Sequence, residues 1–323
     1  MVGDGPPRNI LVWHVHGSWM ESFVAGSHRY LIPFSGDHRA RGLLGRNWPN
    51  ASEVSDEDLA DADVDVVIVQ APEQLALAEK WLGRRLGHDV PAIYLEHNAP
   101  RPSPVDSVHH VADRSDVPLV HVTDFNALMW DNGAAPTRVI THGVRDPGHR
   151  YTGQIACGAA VINEPVRRGR TVGTDLLASL SRHLPIDVWG IDTGALGVTA
   201  LRGMRVTGRG DVPADTLMAE VPRRGVYLHT ARWTSLGLSL IEAMFLGMPV
   251  VVVASTMAPL AIPQEAGVVS ADPDVLGRAA TEFVTDHEMA VAAGKAAREH
   301  AGRHFSIQRF LDDWDRLIEE VCA

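Results

Sequence analysis

The stretch "TSLGLSLIEAMFLGMPVVVV", Thr234 to Val253, predicts a short helix followed by a buried strand, and this pair decides the fold class. Thr234 and Ser235 are favourable N-cap residues, Gly247 stands where a helix commonly ends, and Pro249 cannot continue the helix. The four valines that follow are typical of a strand buried on both faces of a parallel sheet. Helices that lead into such strands are the repeating unit of α/β proteins.

The same alternation of helix and strand extends along the chain in both directions. In the first half the strand-like runs are "ILVWHVHG" from Ile10, "DVVIVQAP" from Asp65, "PAIYLEHN" from Pro91, "PLVHV" from Pro118 and "TRVITHGV" from Thr137. In the second half they are "AAVIN", "IDVWG", "RVTGRG", "GVYLHT", "PVVVVAS" and "AGVVS". The pattern predicts an α/β protein with two Rossmann-like, doubly wound domains that face each other across a ligand-binding cleft.

Four segments follow from this pattern. The polar stretch "GVRDPGHRYTGQ" predicts a linker near residues 144–154, where the strand pattern restarts. We expect a flexible N-terminus over residues 1–9, an N-terminal domain over 10–150 and a C-terminal domain over 151–303. The last segment, 304–323, predicts one amphipathic helix that packs back on the N-terminal domain.

Composition excludes several classes of protein. With 323 residues, 45% of them hydrophobic, the chain has enough apolar material for two domains, and its net charge of −11 argues against a nucleic-acid partner. Cys157 and Cys322 have no spacing typical of a disulfide framework or a zinc site. The sequence contains no apolar run long enough to span a membrane and no secretory signal, so we expect a cytoplasmic protein without an integral membrane segment.

Glu242 is the one acid within the predicted helix of the opening stretch. The turn before it, Ser235, Leu236, Gly237 and Leu238, would present unpaired backbone N–H groups to an anion such as a phosphate. Glu242 lies about 9 Å further along the axis, the scale between a diphosphate and its ribose, and a carboxylate can accept hydrogen bonds from a ribose diol. The alternative is a solvent-facing glutamate on a two-sided helix.

These residues resemble a known family. The stretch is similar to the nucleotide-sugar signature of retaining GT-B glycosyltransferases of family 4 (glycosyl transferases group 1), E-G-x-G-L-x-x-x-E-A-M-A-x-G-x-P-V. "EHN" resembles the loop that carries the family's catalytic histidine, "VITHGV" resembles "VIPNGVD", and "VGTDLL" resembles "KGxDLL". The final "HFSIQRFLDDWDRLIEEV" is similar to the family's terminal helix.

The resemblance implies a retaining, metal-independent glycosyltransferase that needs no cofactor and uses a nucleotide-diphosphate sugar as donor substrate. It implies an acceptor-binding N-terminal domain and a donor-binding C-terminal domain, and leaves the acceptor open: glycan, lipid or small molecule. Glu242 would bind the donor ribose, the Ser235 to Leu238 turn the diphosphate, and His97 would lie beside the reacting carbon. Gly17 and Ser18 would belong to a substrate-binding loop that lies under the donor and the acceptor.

The sequence also departs from the family pattern. Thr234 replaces the first glutamate of the signature, which in relatives contacts hydroxyls of the donor sugar. The diphosphate clamp lacks its usual cations, because Asn163 and Val172 occupy the expected Arg and Lys positions. The loop "NEPVRRGRTVG" supplies Arg168 and Arg170 instead, and guanidinium groups bind phosphate well. A solvated surface loop is the alternative interpretation.

Two other functions stay open at this stage. One is a GT-B sugar-nucleotide epimerase or hydrolase, and the other is a non-catalytic nucleotide-sugar-binding protein, for which the missing signature residues are the argument. His14 and His16 follow the first strand and share one face, but no third ligand is placed for a metal ion. We therefore predict no metal site.

Overall fold

The computed structural model describes residues 6–197 and 201–323, which form two compact units. Unit 1 comprises Met1–Gly143 and Ile307–Ala323, and unit 2 comprises Val144–Ser306. Within the predicted flexible N-terminus, residues 1–5 lie outside the described part of the chain, and the first strand begins at Asn9.

Unit 1 is built on a seven-stranded parallel sheet in the order β3-β2-β1-β4-β5-β6-β7. Its strands are β1 (Asn9–Val12), β2 (Arg29–Phe34), β3 (Ala51–Ser55), β4 (Val66–Val69), β5 (Ala92–Glu96), β6 (Leu119–His121) and β7 (Thr137–Val139). Its helices are α1 (Gly17–Phe23), α2 (Pro72–Leu82), α3 (Asp124–Met129) and α11 (Ile307–Cys322). Because the strands are parallel, the segments that follow β1, β4, β5 and β7 all leave the sheet on the same side, at the carboxyl ends of the strands.

The sequence analysis did not find β2 and β3. β2 contains Pro33, which disrupts a strand pattern, and β3, "ASEVS", lacks the valine and isoleucine run of the central strands. These two strands lie at one side of the sheet, and β3 forms its edge, where less burial is required. β2 pairs with β1 and β3 pairs with β2, which extends the sheet by two strands.

The terminal helix α11 completes the core of unit 1 with aromatic side chains. Trp314 packs against Trp19 and Phe23 of α1, with ring centroids 5.7 and 5.1 Å apart. Asp315 of the same helix lies 3.2 Å from Nε2 of His28, and both side chains are buried. Large rings of this kind bury much apolar surface, so α11 is an integral layer of unit 1.

Unit 2 contains a six-stranded parallel sheet in the order β10-β9-β8-β11-β12-β13. Its strands are β8 (Ile155–Val161), β9 (Ile186–Trp189), β10 (Val206–Gly210), β11 (Arg224–His229), β12 (Val250–Val253) and β13 (Gly267–Ser270). Its helices are α4 (Pro165–Arg168), α5 (Thr174–Leu180), α6 (Ala214–Glu220), α7 (Leu238–Phe245), α8 (Ala258–Ala261), α9 (Pro273–Thr285) and α10 (His287–His304). All six strand-like runs of the second half form strands.

The polar stretch that predicted a linker is part of unit 2. The backbone N–H groups of Arg150 and Tyr151 both donate to the carbonyl oxygen of Leu246, each at 3.0 Å, and Tyr151 is buried. Turn-forming residues therefore mark a packed loop here. The chain divides at Val144 and again at Ile307, close to but not at the predicted boundaries.

Each sheet is parallel and is accompanied by helices, which confirms the predicted α/β class with two Rossmann-like sheets. Among residues 6–197 and 201–323, no helix combines the length and hydropathy that a membrane crossing requires.

Candidate functional site

Helix α7 of unit 2 begins later than its sequence suggested. The N-cap is Gly237, whereas Thr234 and Ser235 were predicted to be the cap. The carbonyl oxygen of Ser235 accepts a hydrogen bond from Oγ1 of Thr256 at 3.0 Å, which fixes Ser235 in the preceding loop. The unpaired N–H groups of the helix therefore start at Leu238, and Glu242 lies five residues beyond the cap, about 7.5 Å along the axis.

Gly237 is needed because an imidazole packs against it. A Cβ atom at this position would lie 2.6 Å from Cε1 of His229, the last residue of β11, which is closer than carbon atoms approach. Burial lowers the pKa of His229 to about 4, so this ring is neutral at neutral pH. The sequence analysis missed His229, although a polar residue at the end of the apolar run "GVYLHT" was a usable signal.

The Glu242 carboxylate has no hydrogen-bond partner within the described part of the chain. Burial raises its pKa above the usual value of 4.5. Glu242 is a near neighbour of Tyr227, because its charge adds to the effect of burial in raising the pKa of Tyr227. The Tyr227 hydroxyl does not bond Glu242 but donates to Oγ of Ser239 at 2.9 Å. A desolvated carboxylate that the protein leaves unbonded keeps its full capacity to accept hydrogen bonds from a ligand.

The other residues of the signature lie in the loop before α7. Thr234 is partly exposed, Ser235 and Leu236 are buried, and Leu238 packs against the core of unit 2. Leu236 and Leu238 thus contribute side chains to the core, and only their backbone groups suit the phosphate-binding turn predicted from the sequence.

The arginine-rich loop is already engaged in ion pairs. Arg167 pairs with Glu164, and Nη1 of Arg170 lies 2.9 Å from a carboxylate oxygen of Asp175. Arg168 is the last residue of α4, and its N–H donates to the Glu164 carbonyl at 2.9 Å. The loop therefore offers cations whose charge is partly compensated.

Arg232 is a further cation that the sequence analysis missed. Its guanidinium donates to both oxygens of Asp175, at 2.6 and 2.9 Å, and its N–H donates to the carbonyl of Thr171 at 2.9 Å. Its side chain is 27% exposed, against 77% for Arg170. Asn163 lies two residues after the end of β8, where its Oδ1 accepts the N–H of Ile191 at 3.0 Å.

In unit 1, His97 directly follows β5, as its motif predicted. Its Nε2 lies 2.8 Å from Oε1 of Gln70, and its ring centroid is 4.2 Å from that of His16 and 5.4 Å from that of Trp19, whose ring is nearly perpendicular to it. Burial, with smaller contributions from His16 and His142, lowers the pKa of His97 well below 6.5.

The loop that carries His97 is fixed by buried polar contacts. Oε1 of Glu96 accepts the backbone N–H of Asn98 at 2.6 Å and its side-chain amide at 3.1 Å. The other Glu96 oxygen lies 3.3 Å from Nε2 of His109, and the indole N–H of Trp130 donates to the Asn98 carbonyl at 3.0 Å. These contacts set the backbone on both sides of His97.

Gly17 and Ser18 begin α1, after β1. A Cβ on Gly17 would lie 3.7 Å from both Nε2 of His14 and Nη2 of Arg46, so the backbone is close to two polar groups, while Ser18 is exposed. Burial lowers the pKa of His14. Across residues 6–197 and 201–323, no three His, Cys, Asp or Glu side chains are grouped closely enough to hold a metal ion.

Part of the chain matches a protein-family model. The model described as "Glycosyl transferases group 1" matches residues 203–300, a segment that contains α7 and Glu242. No curated protein sequence matches the chain.

Solved structures show the same fold. HepE (Alr3699) from Anabaena, in complex with UDP, is 14% identical, with a TM-score of 0.72 over 97% of this chain and 100% of that one. Sucrose-phosphate synthase from Thermosynechococcus elongatus is 13% identical, with a TM-score of 0.73 over 97% and 98% of the two chains. A TarM mutant from S. aureus, in complex with fondaparinux, α-GlcNAc-glycerol and UDP, is 14% identical, with a TM-score of 0.64 over 78% of this chain.

The chain spans only 55% of the length of that TarM protein. At these identities the likeness establishes the fold, which is that of GT-B glycosyltransferase structures, and the activity has to be argued from the residues.

Proposed function

We propose that the chain is a retaining glycosyltransferase of family 4 that binds a nucleotide-diphosphate sugar through unit 2. The observation that carries the proposal is Glu242: a desolvated carboxylate, without a described protein partner, near the start of a helix inside the segment that matches the glycosyltransferase model. An unpaired, desolvated carboxylate costs stability, so its retention is explained if a ligand satisfies it. A ribose diol supplies two O–H donors for its two oxygens.

The diphosphate would bind one helical turn closer to the N-terminus. The N–H groups of Leu238 and Ser239 follow Gly237 and precede the first N–H that bonds within the helix, that of Leu240, and the positive end of the helix dipole favours an anion there. In this proposal Arg168 and Arg170 supply positive charge from the arginine-rich segment that follows β8. Stabilisation of the departing diphosphate is the dominant electrostatic contribution to sugar transfer.

His97 of unit 1 has the role of contacting the donor sugar. The imidazole is neutral at neutral pH because burial lowers its pKa, so it can hydrogen-bond a hydroxyl without carrying charge. Retention is proposed to follow from attack on the same face of the sugar that the diphosphate leaves, with the leaving phosphate taking the proton of the acceptor hydroxyl. This route needs neither a cofactor nor a metal ion, and the acceptor can be a glycan, a lipid or a small molecule.

Calorimetry tests the binding part of the proposal. UDP is the first nucleotide to use, because HepE and TarM were solved with UDP, followed by GDP, ADP and dTDP. We expect one of them to bind with EDTA present, and Glu242→Ala to weaken binding about 5- to 150-fold, since an unpaired buried partner costs about 1 to 3 kcal/mol.

The control for this experiment is Glu282→Ala, which removes an exposed glutamate from α9 of the same unit. It should leave nucleotide affinity unchanged. Wild-type affinity in Glu242→Ala, or binding that disappears with EDTA and returns with Mg²⁺ or Mn²⁺, would contradict the proposal.

A non-catalytic nucleotide-sugar-binding protein is the second candidate. Two observations favour it: Thr234 supplies no charge where relatives have an acid, and Arg167 and Arg170 are already paired with carboxylates. Incubation with radiolabelled UDP-sugars and a panel of acceptors separates the two functions. Transfer or slow hydrolysis of the sugar supports the enzyme, and tight binding without any turnover supports the binding protein.

A further inference from the structure

The amide orientation of Gln70, which follows β4 in unit 1, is fixed by its contacts. Its side-chain Nε2 donates to the carbonyl oxygen of Trp13 at 2.7 Å, and a carbonyl oxygen can only accept. The amide nitrogen therefore faces Trp13 and the amide oxygen faces away from it. The backbone N–H of Gln70 donates to Oε1 of Gln74 at 2.7 Å, and both glutamines are buried.

This orientation determines which nitrogen of His97 carries the proton. Oε1 of Gln70 lies 2.8 Å from Nε2 of His97 and can only accept, so Nε2 must be the donor. In a neutral imidazole with the proton on Nε2, the lone pair lies on Nδ1. The donor and the acceptor of each hydrogen bond from Trp13 through Gln70 to His97 are therefore uniquely assigned.

The surroundings of His97 keep the ring in its neutral form. Within the described residues of unit 1, His16, from the segment before α1, and His142, from the segment after β7, face the ring, and a charge on either would oppose its protonation. The buried ring of Trp19 also packs against the imidazole, nearly perpendicular to it.

We infer that Gln70 is a positioning residue that holds His97 in the Nε2–H form, so that Nδ1 accepts a hydrogen bond from a hydroxyl of the substrate. The inference rests on the proposed function and narrows it. A hydrogen-bond acceptor at this place selects an O–H donor such as a sugar hydroxyl, whereas a phosphate or carboxylate oxygen would meet a lone pair and be repelled.

The first experiment measures the tautomer directly, without substrate. In ¹⁵N-labelled protein, the ring nitrogens of His97 are assigned by comparison with His97→Gln, and their shifts distinguish protonated from unprotonated nitrogen. We expect the wild type to carry the proton on Nε2 at neutral pH. Gln70→Met, which keeps the length of the side chain but removes its polar atoms, should give a mixture of both tautomers.

Gln74→Met is the matched control, because Gln74 is equally buried and bonds the backbone of Gln70, whereas the hydrogen bond to His97 comes from the side chain of Gln70. It should leave the tautomer unchanged. In turnover assays Gln70→Met should lower kcat about 3- to 10-fold, with a smaller change in KM for the donor, since a net hydrogen bond of this kind is worth about one tenfold step or less.

Gln70→Glu provides a readout that a merely structural role would not move. A carboxylate at position 70 still accepts from Nε2 of His97, so the tautomer is kept, but its charge raises the pKa of the imidazole. Protonation then removes the lone pair of Nδ1. As the pH is lowered, we therefore expect the variant to lose turnover at a higher pH than the wild type does.

A wild-type His97 with its proton on Nδ1, or a Gln70→Met variant with the wild-type tautomer, would overturn the inference about Gln70. An unshifted pH profile in Gln70→Glu would overturn the role of Nδ1 as acceptor. If the tautomer follows Gln70 but no nucleotide sugar is bound or turned over, the proposed function fails while the positioning of His97 by Gln70 stands.

Discussion

The two candidate sites differ in how much of their hydrogen bonding the protein itself satisfies. In unit 2 the Glu242 carboxylate is desolvated and has no described protein partner, and burial raises its pKa. In unit 1 the His97 imidazole is bonded to Gln70, and the residues around it are tied together by Glu96, Asn98 and Trp130. The Glu242 carboxylate can therefore still accept hydrogen bonds from a ligand. The contacts of His97, in contrast, fix which ring nitrogen is a donor and which is an acceptor.

The two units should also lose stability in acid to different extents. In unit 1, burial lowers the pKa of His121 and of His142 from 6.5 to about 4, so the unfolded chain binds more protons than the folded chain between these values. The free energy of unfolding should therefore decrease as the pH falls from 6.5 to 4.5, by about 2 kcal/mol for each histidine.

In unit 2 the titrating groups oppose each other over that range. His229 and His300 have lowered pKa values and act like the histidines of unit 1, but Glu242 has a raised pKa, so its protonation removes a destabilising, partly buried charge. Hydrogen exchange resolved by segment should show a larger loss of protection in unit 1 than in unit 2. His142→Asn should flatten the response of unit 1, and a larger loss in unit 2 would contradict the assignment.

The next largest effect is expected for the reaction itself. His97→Ala should lower turnover on the order of 100-fold while leaving the affinity for the bare nucleoside diphosphate unchanged, because the imidazole is proposed to contact the sugar. His110→Ala, which removes an exposed histidine of unit 1, is the control for initial-rate measurements. A parallel loss of diphosphate affinity in His97→Ala would place this residue at the nucleotide instead.

A smaller effect is expected for the arginine loop. Replacement of Arg168 and Arg170 together by Ala should weaken binding of the nucleoside diphosphate about 10-fold and leave the bare nucleoside unaffected. The loss is limited because Arg170 is 77% exposed and already paired with Asp175, and exposed ion pairs contribute little.

Calorimetry with both ligands decides this point, with Arg167→Ala as the control, since Arg167 is paired with Glu164. Equal losses for nucleoside and diphosphate would show that these arginines do not bind the phosphates. A larger loss in Arg232→Ala than in the double variant would assign the cation to Arg232.

The smallest effect is expected at Thr234. This hydroxyl is partly exposed in the loop before α7, so Thr234→Ala should change the preference among donor sugars about 2- to 5-fold without changing nucleotide affinity, in line with the value of one neutral hydrogen bond. Competition between two labelled donors measures the ratio, and Thr285→Ala in α9 is the control. An unchanged ratio would remove Thr234 from the sugar site.

Much of the framework was predictable because it follows from local patterns. Runs of valine and isoleucine identified all six strands of unit 2 and five of the seven in unit 1, and the ends of those strands located His97. The two missed strands, β2 and β3, contain a proline or few branched residues, and the pairing of β2 with β1 and of β3 with β2 depends on contacts distant in sequence. The helix start was displaced to Gly237 by the contact between Ser235 and Thr256.

The sequence by itself determined the α/β class, the parallel sheets and the positions of Glu242 and His97 along the chain. Hydrophobic periodicity, and the Gly and Pro residues that end helices and strands, act over only a few residues and can be recognised locally. The tertiary structure alone decided which groups surround these two residues. Gln70 is 27 residues from His97, Arg232 is 57 from Asp175, and His229 meets Gly237 across a loop. Hydrogen bonds and burial between distant segments set a tautomer, a charge balance or a pKa, and no local pattern encodes them.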